Sequence, residues 1–412
     1  MKKFFKVIYR SKKSKARLGE IKTAHGVIKT PAFVAVGTKG TVKSILPGLL
    51  REIGTQAVFV NTYHLLTHPG AAVIEKAGGI HRYSDLDLPL MSDSGGFQVF
   101  SLAKTKMLGH QFFLSPVGSP PTSVGASQVE KKLESQETQE KPAIVKISEE
   151  GVKFRSTFDG RIIELTAEKS IAYQKKIGAD LLMAFDECIP YGVSYQYAKE
   201  ATERTHYWLE RSIKEFKKDQ PIKKQYLYGI IQGGMFEDLR KKSAEFVVSK
   251  NTDGVAIGGV SVGESKKEMR DQVRCVVDYL PADRPVHLLG VGHFDDIFDL
   301  VSCGIDTFDC VEPTRLARMG NIYQVKSEKF KVESFNIEKI DILKGVYRED
   351  FSRVDENCDC YVCRNFTKSY LHHLFKNREL LAYTLATYHN LWVMERFFEM
   401  VREMIEENKI YT

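Results

Sequence analysis

The sequence predicts an α/β chain built on a (β/α)8 TIM barrel, with an N-terminal β extension and a C-terminal zinc-binding subdomain. Three observations carry that prediction: short apolar runs, helical stretches between them, and a tight cysteine cluster near the C-terminus. Eight runs recur: Ala32–Val36, Ala57–Val60, Leu88–Met91, Leu181–Phe185, Tyr226–Ile231, Val255–Ile257, Val286–Leu289 and Asp306–Phe308. Each is of strand length and ends in Gly or a polar residue. Segments of helical period separate several of them, at Tyr195–Lys218, Met235–Lys250 and Ser265–Leu280. Strands alternating with helices imply a parallel sheet, and eight units imply closure; a doubly wound open sheet is the alternative. The expected boundaries are an extension over 1–30, a barrel over 31–345 interrupted at about 104–145, and a subdomain over 346–412.

The 412 residues carry 43% hydrophobic and 27% charged side chains, as in globular proteins, and no apolar run spans a bilayer. The basic N-terminus lacks the apolar stretch and cleavage site of a signal peptide. Net charge is +7, and residues 1–30 hold ten Lys/Arg against the single acidic Glu20. That bias suits a polyanionic partner, or a solvated face of the first strands. Residues 104–150 break the rhythm with Pro, Ser, Gln, Glu and Lys, and read as a flexible spacer or, beginning near Asp93, as a lid.

Seven cysteines, an odd number, argue against a secreted disulfide framework and place the chain in a reducing cytoplasm. Thiolates at Cys358, Cys360 and Cys363 converge from one tight turn, and a fourth ligand would close a tetrahedral Zn2+ site. His389 is the first candidate, with His372 and His373 as rivals. A closed site of this kind is structural, with metal binding energy acting as folding energy.

Barrel enzymes place their chemistry just past the C-terminal ends of the strands. Ser92-Asp93-Ser94-Gly95-Gly96 follows Met91, Asp186-Glu187-Cys188 follows Phe185, and Gln232-Gly233-Gly234 follows Ile231. Gly258-Gly259-Val260 follows Ile257, Gly290-Val291-Gly292 follows Leu289, and Asp309-Cys310 follows Phe308. Asp93 and Asp309 form the type of carboxylate pair that glycosidic-bond chemistry uses, one as nucleophile and one as proton carrier. Either could instead cap a helix. Asp186 and Gln232 suit the edge of a heterocyclic base, and Phe97 could stack on it or fill core. Only two Trp exist, Trp208 and Trp392, both in helix-like sequence, which disfavours a sugar-binding glycosidase.

These motifs, together with Pro313-Thr314-Arg315 and the Cys/Cys/Cys…His set, resemble the tRNA-guanine transglycosylase (queuine tRNA-ribosyltransferase) family of bacterial type, in the family's order over residues from about 10 to 400. The resemblance implies a (β/α)8 barrel with a zinc subdomain, acting on the anticodon wobble guanine of tRNA and a free 7-deazaguanine base. It implies Asp309 as nucleophile, Asp93 as general acid/base, and a base pocket of Ser94, Gly95, Gly96, Phe97, Asp186, Gln232, Gly259 and Val260. Gly290, Val291, Gly292, His293, Phe294, Asp295 and Asp296, with Thr314, Arg315, Leu316, Ala317 and Arg318, match the stretches that hold the anticodon loop. A homodimer is implied as well. Three departures stand out: Leu316-Ala317 replaces a usual small Ser-Gly pair, Glu312 replaces a common apolar residue, and Val260 replaces a frequent Leu. The smaller Val leaves more room beside the base, so queuine stands beside 7-aminomethyl-7-deazaguanine (preQ1) as the incoming base. A non-catalytic tRNA-binding subunit would not need both Asp93 and Asp309. The archaeal type carries further C-terminal RNA-binding domains that do not follow His389 here.

Overall fold

A computed structural model of the protein describes residues 3–96, 143–156, 158–218, 225–326 and 336–411. Phe97 and residues 104–142 of the expected spacer lie outside these. Eight parallel strands form a closed barrel: β1 (Ala32–Val36), β2 (Val58–Val60), β3 (Leu90–Ser92), β4 (Leu181–Met183), β5 (Tyr226–Ile231), β6 (Gly254–Ile257), β7 (Val286–Leu288) and β8 (Thr307–Cys310). They follow one another around the barrel in chain order, and each coincides with one of the eight apolar runs. An open doubly wound sheet is thereby excluded. The chain divides into two compact units, one of residues 1–60, 80–91 and 282–412, the other of 61–79 and 92–281.

In the second unit β4, β5 and β6 pair in parallel, with Leu182 opposite Leu227 and Gly229 opposite Val255. The connecting helices have the ends their sequences specify. Ala167–Ile177 starts at Thr166, whose side chain accepts from Lys169 N, and stops at Gly178 in the left-handed region. Lys266–Arg274 opens with a Ser265/Glu268 capping box, and Tyr195–Lys217 is capped by Ser194. The stretch read as spacer ends in regular structure: Ala143–Ser148 pairs antiparallel with Gly151–Arg155, which pairs with Ile162–Leu165. The β-branched Ile-Val-Lys-Ile pattern favours a strand over coil there. Phe154 and Leu165 bury against Tyr63, Phe185 and Trp208, whose indole N–H donates to Glu149 O at 2.7 Å.

In the first unit the basic N-terminal segment forms an antiparallel sheet of Phe5–Arg10, Arg17–Lys22 and Val27–Thr30. β8 pairs with β1, placing Asp309 opposite Val34, and with β7, placing Thr307 opposite His287. The long helix Leu380–Glu406 buries Phe397 and Phe398, and Phe398 lies 6.3 Å from Phe33 of β1 and 5.9 Å from Phe308 of β8. No helix among the described residues is long and apolar enough to cross a membrane.

Arg17 holds the buried Asp306 at the entry to β8 through Nε at 3.0 Å and Nη2 at 2.6 Å. The same carboxylate accepts from Val286 N at 2.7 Å, so one pair ties the N-terminal sheet to β7 and β8. Arg17→Met would strand Asp306 in a dry site. A loss of about 3–5 kcal/mol in urea unfolding is expected. A variant within about 0.5 kcal/mol of wild type would show that the pair holds nothing.

Candidate active site and metal centre

β3 delivers Asp93 into a pocket dry enough to change its chemistry. Its Oδ1 accepts from the backbone N–H of Thr62 at 2.6 Å and of Gly95 at 3.1 Å, and Oδ2 accepts from Asn61 Nδ2. Those donors favour the carboxylate, but burial outweighs them and pushes its pKa up to about 7, with the charge of Asp186 adding to the rise. Gly95 makes this turn with φ +80, and a Cβ on Gly96 would come within 2.7 Å of Asp186 O. The helix Ala167–Ile177 braces the loop from behind: Ser170 Oγ donates to Ser94 O at 2.6 Å. Gln174 joins Ser92 of β3 to the backbone of Met183 in β4.

Asp186 sits three residues beyond β4 and is buried as well. It accepts from Ser94 Oγ at 2.9 Å and from Gln232 Nε2 at 2.8 Å, yet burial raises its pKa to about 6. Gln232 follows β5 directly. Its amide N–H₂ is turned to Asp186, and its Oε1 is buried without a hydrogen-bond partner. Gly259, with φ +63, passes so close that a Cβ there would lie 2.3 Å from that oxygen. Val260 is buried beside it. The fully buried guanidinium of Arg240 donates to Gly234 O at 2.7 Å, Gly258 O at 3.1 Å and Gly259 O at 2.7 Å. One side chain thereby fixes both glycine loops.

In the first unit Asp309 lies in β8 with its side chain 13% exposed. Its Oδ1 accepts from His287 Nε2 and from Gly290 N, both at 3.1 Å. Of the residues matched to anticodon-loop contacts, Gly290 and Asp295 are exposed and His293 is half-buried, while Val291, Gly292, Phe294 and Asp296 are buried. Phe294 packs edge-on to Tyr323 and Phe397, which gives it a structural task. In the helix Glu312–Arg318, Thr314 and Ala317 face inward, Arg315 is exposed, and Leu316 and Arg318 are half-buried. Arg318 Nη1 donates to Thr314 O at 2.8 Å.

The cysteine cluster is a buried donor set. His389 Nδ1 lies 3.7, 3.6 and 3.2 Å from the Sγ atoms of Cys358, Cys360 and Cys363. Its other nitrogen, Nε2, donates to Tyr323 O at 2.9 Å, which leaves Nδ1 bare as a ligand. Three thiols and an imidazole around one point fit a structural metal ion. His372 and His373 lie outside the cluster, and His372 Nδ1 bonds Ile342 O at 2.7 Å. Asn390, the neighbour of His389, accepts from Tyr323 N and donates to Pro313 O at 3.1 Å and Asn321 O at 3.0 Å. The metal centre is thus bonded to the helix that carries Arg315 and Arg318.

Sequence reading missed Asn61, Ser170, Gln174, Arg240 and His287. Asn61 does follow an apolar run, as the other site residues do; the rest lie within helices or strands, where only the folded chain shows what they touch.

A family model described as Queuine tRNA-ribosyltransferase matches residues 12–135 and 122–412. A Queuine tRNA-ribosyltransferase of Thermoanaerobacter sp. (strain X514) is 41% identical over 98% of this chain and 94% of its own length. That of Aquifex aeolicus (strain VF5) is 42% identical over 98% of this chain and 96% of its own. The corresponding protein of Nostoc sp. (strain PCC 7120) is 40% identical over 97% and 93%.

The raised pKa of Asp93 links stability to pH. A folded value of about 7 against 3.8 means the native state holds the proton more tightly than the unfolded chain. That stabilisation is complete below 3.8 and is lost as pH rises through about 7. Asp93→Asn carries no such charge. Its stability relative to wild type should rise by on the order of 4 kcal/mol between pH 4 and 8, at about 1.4 kcal/mol per unit. Parallel urea-stability profiles for the two proteins would contradict the burial argument.

Proposed function

The chain belongs to the Queuine tRNA-ribosyltransferase family, and from that premise we propose that it exchanges the wobble guanine of a tRNA anticodon for a free 7-deazaguanine. The observation that carries this reading is the buried Asp93–Ser94–Asp186–Gln232 cluster at strand ends, with Asp309 at the end of β8. Asp309 attacks C1′ of the wobble nucleotide. The C1′–N9 bond breaks with its electron pair passing to guanine, and the Asp93 carboxylic acid supplies the proton. In the second half the incoming base gives its ring N–H proton to the Asp93 carboxylate. Its nitrogen then bonds C1′, and Asp309 leaves as a carboxylate. One proton serves both halves, and a pKa near 7 suits a group that must both give and take it. No redox cofactor or nucleoside triphosphate is needed.

Asp186 accepts from the ring N–H and amine of guanine, Ser94, Gly95 and Gly96 enclose the base, and Gln232, Gly259 and Val260 lie beside it; Phe97, matched to the same pocket, is outside the described residues. Gly290–Asp296 and Thr314–Arg318 hold the anticodon loop, with Arg315 and Arg318 supplying charge for phosphates. The metal is zinc. Bond lengths of about 2.3 Å to sulfur and 2.0–2.1 Å to nitrogen in a tetrahedron require S···N edges of about 3.6 Å. The observed 3.2–3.7 Å edges bracket that value. The buried thiols suit a reducing cytoplasm. A homodimer is proposed, for which Val346, Phe351 and Leu380, at 73%, 75% and 80% exposed, offer apolar surface.

Two experiments test this reading. In a base-exchange assay offering labelled guanine, preQ1 and queuine, wild-type protein should incorporate guanine and preQ1, and Asp309→Ala none of the three. Undiminished exchange in Asp309→Ala would remove the nucleophile, and rejection of queuine would close the enlarged-pocket alternative. Stripping the metal with a strong chelator should lower the melting temperature and the exchange rate together, because Asn390 links the centre to the Arg315 helix. An unchanged melting curve after complete metal loss would refute a folding role.

A further inference from the structure

Asp309 is held by one oxygen only. Both of its hydrogen bonds fall on Oδ1, one from His287 Nε2 and one from Gly290 N, and no donor reaches Oδ2 among the described residues. His287 is fully buried in β7 and cannot turn away freely. Its ring stacks on Phe59 at 5.7 Å, and its Nδ1 lies 2.9 Å from Thr307 Oγ1, on the residue paired with it across β8. The proton arrangement follows from the partners. A carboxylate only accepts, so Nε2 must carry a hydrogen; the Thr307 hydroxyl, which donates or accepts, adapts to Nδ1 in either state.

From this geometry, and resting on the proposed exchange reaction, we infer that His287 is a positioning residue for the nucleophile, fixing Oδ1 so that Oδ2 is the atom that bonds C1′. The Nε2–H and Gly290 N–H set the plane of the carboxyl group and leave the lone pairs of Oδ2 uncommitted. In the second half, when the C1′–Oδ2 bond breaks and its pair returns to the carboxylate, the same two donors receive the restored charge. Thr307 acts one step further back, by holding the imidazole. Both residues act through Asp309, so the effect falls on the rate of bond exchange rather than on tRNA binding.

The test compares His287→Leu, which keeps bulk without a donor, with His287→Gln, whose amide N–H reaches a position near that of Nε2. Steady-state exchange of labelled guanine and the rate of appearance of a denaturation-stable tRNA–protein adduct are measured, with Asp309→Asn as control. His287→Leu should lower kcat and the adduct rate by about 10- to 100-fold, the loss of one hydrogen bond to a charged group. Its KM for tRNA should stay within about 3-fold, and His287→Gln should recover most of the rate. A folded His287→Leu protein with wild-type kcat and adduct rate overturns the inference. So does a folded His287→Gln protein as slow as His287→Leu, which would place the requirement on the ring and not on its N–H. If His287→Leu fails to fold, His287→Gln decides alone against wild type: a rate within about 3-fold supports the N–H role, and a loss of about 10-fold or more overturns it. An adduct that persists in Asp309→Asn would instead overturn the assignment of the nucleophile and leave the positioning argument without its object.

Discussion

Two carboxyl groups buried in one cluster impose the constraint on which the site depends. Asp93 and Asp186 each lose hydration, and each is pushed toward the neutral form by that loss, Asp93 further by the charge of Asp186. Such a pair is tolerated only if every remaining contact is a donor, and the chain supplies them: Asn61, Thr62 and Gly95 to one, Ser94 and Gln232 to the other. The donors sit on segments that must not shift. Ser170 and Gln174 from one helix hold the Asp93 loop and β4 together, and Arg240 from another holds the glycine loops after β5 and β6. Several buried polar side chains of this unit are thus committed to the segments that hold these two acids.

Asp309 is treated differently. It is partly exposed, with donors on a single oxygen. A nucleophile must be charged, and a proton carrier must change charge. On the proposed reading those tasks fall to two side chains in different surroundings, one partly exposed and one buried. In the same unit His389 and its neighbour Asn390 bind the strand Asn321–Val325 and the helix Glu312–Arg318 to one support. A cluster that fits a structural metal ion is thus tied to the helix that carries Arg315 and Arg318.

How much of this was readable before folding depends on the kind of signal. Strands of a barrel are short, apolar and punctuated, so all eight were legible from their runs and from the glycines and acids that end them. The cysteine spacing announced a metal site with His389 first among its candidate fourth donors, and the folded cluster sets the rivals His372 and His373 aside. His287 was hidden for another reason. A histidine inside an apolar strand reads as core, and only the register of β7 on β8 brings it to Asp309. Arg240 was hidden likewise within a charged helix, whose pattern gives no hint that one guanidinium points inward. The strand Ala143–Ser148 went unread because its neighbours are low in complexity and its alternation is short. Phe294 and Asp296 lie in a stretch that family position matched to RNA contact, and the fold buries both side chains, which the pattern alone did not reveal.

The unfinished hydrogen bonding of Gln232 bears on which base the pocket accepts. Its Oε1 is buried with no donor, and the neighbouring Asp186 oxygens have lone pairs beyond those used by Ser94 and Gln232. A buried acceptor without a partner costs about 1–3 kcal/mol, which a ligand recovers only by presenting donors at that edge. Guanine and its 7-deaza relatives present a ring N–H and an exocyclic amine side by side. Adenine presents a bare ring nitrogen there, which would face the carboxyl group lone pair to lone pair unless Asp186 took up a proton. In the proposed reaction, Asp186 in its carboxylate form accepts at both positions and so selects the donor-rich edge. On the proposed reading, discrimination against adenine then comes less from shape than from acceptors that the folded chain has buried and left waiting.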